Sequence, residues 1–490
     1  MTFNSWQFLI FLPVVVLLYW IVPNKFRWIL LLIASYIFYL FWNVKLIFLI
    51  LFTTGISYIS AILINKSKND KIKKLWLIIT LISCLGVLFF FKYFTFIANS
   101  IIDLINLGSN NIPQLTFSLL LPVGISFYTF QTLSYVIDVY RGKINPEYHL
   151  GYYALYVVYF PQLVAGPIER PENLLPQLRQ ERTFDSNDLF TGLRISIVGF
   201  FKKVVIADTV AIVVNSVYNN LGYANGITII IATVLFAIQI YCDFSGYTDI
   251  AIGVARMMGI KLNDNFNQPY LATSIRDFWK RWHISLTSWF TDYVYIPLGG
   301  SRCKFYRWVI NVMIVFLLSG LWHGAAWTFV IWGLIHGVYQ IIGKLKAKLV
   351  KRITDKKQIN IDDNPFVIGI RRVITFTLVC FAWIFFRANS ISDCGIILGK
   401  LFTDWHNTNQ AFNNSGLTIT LAIEIGLMIL MLPMLHKVLE YEPCVKNGEI
   451  TQTFMMNKLA YMFLLVAVIL AWIGLYISGG SGSSFIYFQF

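Results

Sequence analysis

The sequence predicts an all-α polytopic membrane protein, and three observations carry that prediction. Of the 490 residues 57% are hydrophobic and only 13% charged, with a mean hydropathy of +0.65. A soluble domain is nearer a quarter charged and half apolar, so the solvent that accepts this much apolar side chain is lipid. Apolar runs of crossing length recur along the whole chain, and the cations gather in short segments between them. Aromatic residues make up 17%, which suits bilayer interfaces and packed helix bundles.

In chain order the runs fall near 6–22, 28–42, 46–64, 75–97, 115–140, 192–214, 227–243, 307–321, 324–343, 373–386, 417–436 and 459–477. That makes about twelve transmembrane helices by the hydropathy rule. The first run, Phe8 to Trp20, has no Lys or Arg before it and no small-residue cleavage site after it, so it reads as a retained span. Segments 151–165 and 284–300 are too short or too rich in Pro and Gly to cross. They read as re-entrant or cytoplasmic helices, whose irregular backbone must be covered by protein. Residues 344–365 read as a flexible or surface-lying cytoplasmic connector that ends in IDDNP, a turn signal closed by Pro365. The Gly/Ser string 478–484 runs directly into the aromatic tail Phe485–Phe490. No internal repeat matches the two halves as an inverted-repeat transporter would require.

The formal charge is +15, from 39 Lys+Arg against 24 Asp+Glu. Nucleic acid is not the expected partner, because these cations sit in the positive-inside pattern of a membrane protein, where they also meet anionic lipid. Segments 65–74, 141–149, 256–281 and 344–372 carry clustered Lys and Arg, whereas 98–114, 215–226 and 404–416 carry none. The two sets alternate if both termini face outward and the basic loops face the cytoplasm. Lys45, Arg387 and Lys400 fall on the wrong side of that scheme. Cys84, Cys242, Cys303, Cys380, Cys394 and Cys444 show neither CxxC spacing nor histidine neighbours at metal spacing, so no disulfide framework and no metal site are expected.

Polar residues at lipid depth are costly and are therefore functional suspects. His323 lies in SGLWHGAAW, between Trp322 and Trp327 and among small residues that let a substrate approach. Burial favours neutral imidazole, which can accept a proton; a histidine that merely bonds a neighbouring helix fits the same string. His283 lies in RDFWKRWHISLTSWF, where Arg276, Lys280 and Arg281 alternate with Trp279, Trp282 and Trp289. That mixture suits a phosphate-bearing, ring-containing ligand at a cytoplasmic interface. An interfacial tryptophan belt with snorkelling cations gives the same composition. On a continuous helix His336, thirteen residues beyond His323, would point nearly the opposite way and be structural. His149, His406 and His436 sit in or beside loops.

Two further strings mix polar groups with Gly and Pro: 159–178, which holds Glu169 and Arg170, and 241–253, which holds Asp243, Ser245 and Asp249. Irregular backbone with buried carboxylates reads as a cavity wall, and a cytoplasmic cap of turns would look similar. No GxSxG, Walker A or GxGxxG string is present, which disfavours a serine hydrolase or an ATP-driven pump.

The strings FPQLVAGPIERP (160–171), DFSGYTDIAIG (243–253), NFNQPYLATSIRDFWKRWHISLTSWFTDYVYIPLGG (265–300) and LWHGAAWTFVIWGLIHG (321–337) resemble the membrane-bound O-acyltransferase family. The likeness is to its bacterial branch, typified by alginate O-acetylation membrane proteins, and it covers about 1–490. It implies one membrane domain: N-terminal spans (1–140), a catalytic core with both histidines (141–343), the connector (344–365), and C-terminal spans with the tail (366–490). The resemblance further implies that His323 is the catalytic base and His283 a second catalytic or positioning residue. Arg276, Trp279, Lys280, Arg281, Trp282, Trp322, Asp243 and Glu169 are then candidates for binding substrate or donor. No bound cofactor is expected. The implied donor is acetyl-CoA or another acyl thioester, and the implied acceptor an extracytoplasmic polysaccharide. A periplasmic or surface partner protein and a bacterial cytoplasmic-membrane location are also implied. His283 or a backbone N–H would serve as the oxyanion donor. The rival readings are D-alanyl transfer to teichoic acid from a carrier-protein thioester, a precursor transporter, and a structural scaffold.

Overall fold

The computed structural model describes residues 1–107, 112–116, 122–164, 166–357 and 364–440, with isolated positions beyond 461. The predicted span 459–477 apart from isolated positions, the tail 478–490 apart from Phe485, the stretch 358–363 and Cys444 lie outside the described residues.

Every regular element described is helical. Among the described residues seven helices are long and apolar enough to cross a membrane: Val44–Lys66, Asp70–Asn106, Gly226–Met257, Phe305–His323, Trp327–Val350, Pro365–Arg387 and Ile419–Lys437; Trp6–Ile21 is a shorter apolar helix. Helices satisfy every backbone group internally, the condition lipid imposes. Side-chain caps mark several starts, such as Ser5 accepting from the Phe8 N–H and Asn364 accepting from the Phe366 N–H beside Pro365.

Three segments depart from the sequence reading. Among the described residues of run 115–140 the helix is Ile125–Tyr140, preceded by Gly124, which takes a left-handed φ of 73° and where a side chain would collide with the Leu163 carbonyl. Of the connector, 344–357 is helix, the continuation of the helix that starts at Trp327, and not flexible chain. String 241–253 is unbroken helix within Gly226–Met257. Its glycines serve packing: Gly246 sits against the Gly199 backbone, and Gly253 against Gly192 and Ser196.

The chain divides into two units, Met1–Ser196 with Tyr247–Asn263, and Ile197–Gly246 with Asp264–Phe490. In the first, Ile125–Tyr140 is almost wholly buried, and Tyr135 packs on Tyr153 at 4.5 Å. The basic segments of this unit are tied together, two of them through helix Pro171–Arg179. Asn65 reaches the Tyr148 hydroxyl at 3.0 Å, Arg179 pairs with Glu147, and Gln177 bonds the Lys261 carbonyl at 2.8 Å.

In the second unit the cation-free loops 215–226 and 404–416 are joined in the same way, for example Asn225 Nδ2 to the His406 carbonyl at 2.9 Å. Two of the misplaced cations have structural work there. Arg387 donates to Asn215 at 2.8 Å, and Lys400 to the Ala224 carbonyl at 2.5 Å. Lys45 is exposed in the short 3-10 helix Val44–Leu46. The hairpin of Phe305–His323 and Trp327–Lys357 closes backbone on backbone, since a side chain at Gly320 would strike the Phe329 carbonyl and one at Gly333 the Phe316 carbonyl. Gly333 and Gly337 form a small-xxx-small pair on that face. This close approach sets the position of His323, the last residue of the first helix.

Candidate active site

The site is built in the second unit from the broken segment 264–290 and the hairpin. Ser274 caps helix Ile275–Arg281, accepting from the Asp277 N–H. His283 then adopts φ 45° at the start of helix Ile284–Phe290. A β-carbon in that left-handed region is uncommon, and strain held by its surroundings tends to collect at functional positions. Its surroundings here are the loop 265–268, tied on by Asn267 N–H to the Arg281 carbonyl at 2.9 Å and Ile284 N–H to the Asn265 carbonyl at 3.0 Å.

His283 is fully buried and His323 is 2% exposed. Their ring centroids are 6.3 Å apart. Trp322 packs edge-on against both, at 5.6 and 5.0 Å. Phe244 closes the His283 side at 4.7 Å; Trp332 and Phe386 close the His323 side at 5.0 and 5.4 Å. Burial pushes the His283 imidazole down to about 3, so it is neutral at pH 7. Two buried imidazoles in an aromatic wall can take up, hold and pass a proton where bulk water is excluded.

The other sequence candidates divide. Trp279 is buried, and its Nε1–H donates to His336 Nδ1 at 3.2 Å, so its polar edge is occupied inside the protein. Trp282 is fully buried among Phe266, Phe278 and Trp383. Arg276 and Lys280 are exposed, and Arg281 pairs with Asp277 at 2.9 Å. His336 is not on a helix continuous with His323, because the chain breaks between them; both rings pack against Trp332 at 5.0 Å.

The two carboxylates have partners of their own. Asp243 pairs with buried Lys203 at 2.5 Å, and Lys203 also binds Asp208 at 2.8 Å. Lys203 lies in a π-helical turn, Phe201–Ala207, inside an apolar run whose composition gives no hint of the pairing. Glu169 belongs to the first unit. It accepts from the Asn263 N–H at 2.7 Å, Asn263 Nδ2 at 2.9 Å and Asn173 Nδ2 at 2.7 Å, pinning residue 263 to helix Pro171–Arg179. Burial pushes its carboxyl up to about 7 against the pull of those bonds. The first unit also holds a cavity of about 210 Å³ lined in part by Arg27, Trp28, Tyr152 and Arg179. Its guanidinium groups are already engaged, Arg27 with the Val22 and Arg182 carbonyls and Arg179 with Glu147.

Sequence reasoning passes over Asn265, Ser285, Phe244, Trp332 and Phe386. Asn265 has a signal, as a small amide opening one of the strings rich in polar and aromatic residues; the aromatic walls have none beyond composition.

The family model described as MBOAT, membrane-bound O-acyltransferase family, matches residues 145–386, which include both histidines. A probable alginate O-acetylase AlgI of Pseudomonas aeruginosa is 36% identical over 433 residues, covering 88% of this chain and 80% of the relative. A peptidoglycan O-acetyltransferase of Helicobacter pylori is 32% identical over 532 residues, covering 100% of this chain and 97% of the relative. A teichoic acid D-alanyltransferase of Bacillus subtilis is 31% identical over 283 residues, covering 54% of this chain and 68% of the relative.

Proposed function

Because the chain belongs to the membrane-bound O-acyltransferase family, we propose that it moves an acetyl group from cytoplasmic acetyl-CoA to hydroxyls of an extracytoplasmic polysaccharide, with His323 as general base. The observation that carries this assignment is the 6.3 Å approach of two buried imidazoles. A direct N–H···N bond of about 3 Å would bring two such rings to about 5 Å between centres. At 6.3 Å the ring centres are farther apart than such a bond gives, yet near enough for both rings to line one small reaction site.

His323 takes the hydroxyl proton as the oxygen attacks the thioester carbonyl. The tetrahedral intermediate collapses to the ester, the C–S bond breaks, and the proton goes on to the leaving thiolate. Products are the acetyl ester and free CoA thiol. An enclosed aromatic site orients both reactants and strengthens any donor aimed at the oxyanion. The exposed Arg276 and Lys280 form a cytoplasmic entrance for the phosphates of the donor. The polysaccharide reading draws on the alginate and peptidoglycan enzymes among the relatives. A periplasmic or surface protein that receives or directs the acetyl group, and a place in the bacterial cytoplasmic membrane, belong to the same proposal.

The test is transfer of labelled acetyl from acetyl-CoA to alginate, peptidoglycan and mixed exopolysaccharide by protein in vesicles, run beside a D-alanyl carrier-protein thioester. Label on a polysaccharide from acetyl-CoA supports the proposal. Transfer from the carrier thioester alone would overturn it in favour of the D-alanyl chemistry named for the Bacillus subtilis relative.

A further inference from the structure

The hydrogen bonds around Asn265 decide which nitrogen of His283 carries the proton. Asn265 Oδ1 lies 3.2 Å from the Ser285 backbone N, 2.9 Å from the Ser285 hydroxyl and 3.1 Å from His283 Nδ1. An amide's oxygen and nitrogen are assigned from such partners. Here the assignment has one solution, because a backbone N–H is always a donor and would face two more hydrogens if the amide were turned over. The atom is therefore oxygen. Oxygen in an amide accepts only, so the neighbouring His283 Nδ1 must carry the hydrogen.

We propose that Asn265 is a positioning residue that holds His283 as the Nδ1–H tautomer, so that Nε2 receives a hydrogen bond or proton during acyl transfer and does not donate one. The inference rests on the His283–His323 pair being the reaction site. It sharpens that reading, because a neutral His283 held this way has no hydrogen on Nε2 to offer an oxyanion. The oxyanion donor must then be another group, and, since the hydroxyl's one hydrogen goes to His323, His283 Nε2 is left to accept from another donor in the site. The amide also explains the backbone at this point. Ser285 N–H is in the first turn of helix Ile284–Phe290, and its bond to Asn265 anchors the helix start that the left-handed His283 residue creates. Asn265 is 1% exposed, and its Nδ2 has no partner among the described residues. The amide is thus oriented by what its oxygen accepts.

Two readouts test this on the full-length protein in detergent. In ¹⁵N-histidine-labelled protein the His283 resonances, identified by their loss in H283Q, should show a protonated Nδ1 and a lone-pair Nε2. A lone-pair Nδ1 would overturn the proposal whether or not the protein proves to be an acetyltransferase. In the transfer assay Asn265→Ala should lower kcat by about 10- to 100-fold, the usual cost of removing a histidine's orienting partner, with donor KM little changed. Asn265→Asp keeps the acceptor and should recover much of kcat. It should also move the acidic limb of the kcat profile to higher pH, because a carboxylate beside Nδ1 favours imidazolium. Equal losses in both variants, with a pH profile like that of the wild type, would reduce Asn265 to packing.

Discussion

The Glu169 region and the His283–His323 region look alike in composition and differ in how their polar atoms are used. Both are buried, and both lie where short helices interrupt apolar sequence. Glu169 places its two oxygens against three N–H groups of its own unit, so its chemistry is consumed in holding a loop to a helix. The histidines touch mainly ring faces and edges, and the Asn265 bond engages His283 on Nδ1. Burial of a polar group thus marks two kinds of place. Full saturation indicates architecture, and aromatic enclosure with proton-accepting nitrogens indicates chemistry.

That contrast can be broken by mutation. The largest effect should come from His323→Ala, which should cut acyl transfer by about 10²- to 10⁴-fold, the scale of general-base catalysis, with the melting temperature little changed. A comparable loss of folding would move His323 to the architectural class. Next is Lys203→Met, which removes the ammonium between Asp208 and Asp243. Breaking a buried pair from one side costs about 3–5 kcal/mol, so thermal unfolding in detergent should shift strongly downward. An unchanged melting point would show that the cluster is not structural.

Glu169→Gln should act through pH while leaving transfer intact. Because burial raises the folded carboxyl from 4.5 to about 7, its contribution to stability is fully present below about 4.5. It is lost as pH rises through about 7. Each tenfold change in proton affinity is worth about 1.4 kcal/mol. The wild type should therefore lose about 2–3 kcal/mol relative to Glu169→Gln as pH rises from about 4.5 to about 8. A wild type that gains on the variant over this range would show that the three N–H bonds outweigh desolvation. The smallest effect belongs to reversing charge at Arg276, Lys280 and Arg281. Exposed cations steer a charged donor weakly and in a salt-dependent way, so donor KM should rise severalfold at low salt and less at high salt. A KM indifferent to both would remove the cytoplasmic entrance.

Much of this is legible in the sequence, for reasons that particular residues make plain. Apolar length declares the helices Phe305–His323 and Trp327–Val350, and the small residues around His323 mark it as a place of close approach. What stays hidden depends on partners far apart in the chain. Lys203 sits in an apolar run and becomes intelligible only beside Asp243, forty residues on. Asn265 gains its role from a loop that returns eighteen and twenty residues later to His283 and Ser285. String 241–253 reads as irregular because its glycines signal breaks in water-soluble helices, whereas here they let helix backbones touch.

The central claim is that His323 drives thioester consumption. Its most direct test is free thiol released from acetyl-CoA by the purified protein, wild type against His323→Ala, with and without a mixed polysaccharide extract. Thiol release by the wild type that rises with the extract and is lost in the variant is the predicted result. Equal release by both proteins would contradict His323 as the base, and no release by either would return the chain to the transporter reading.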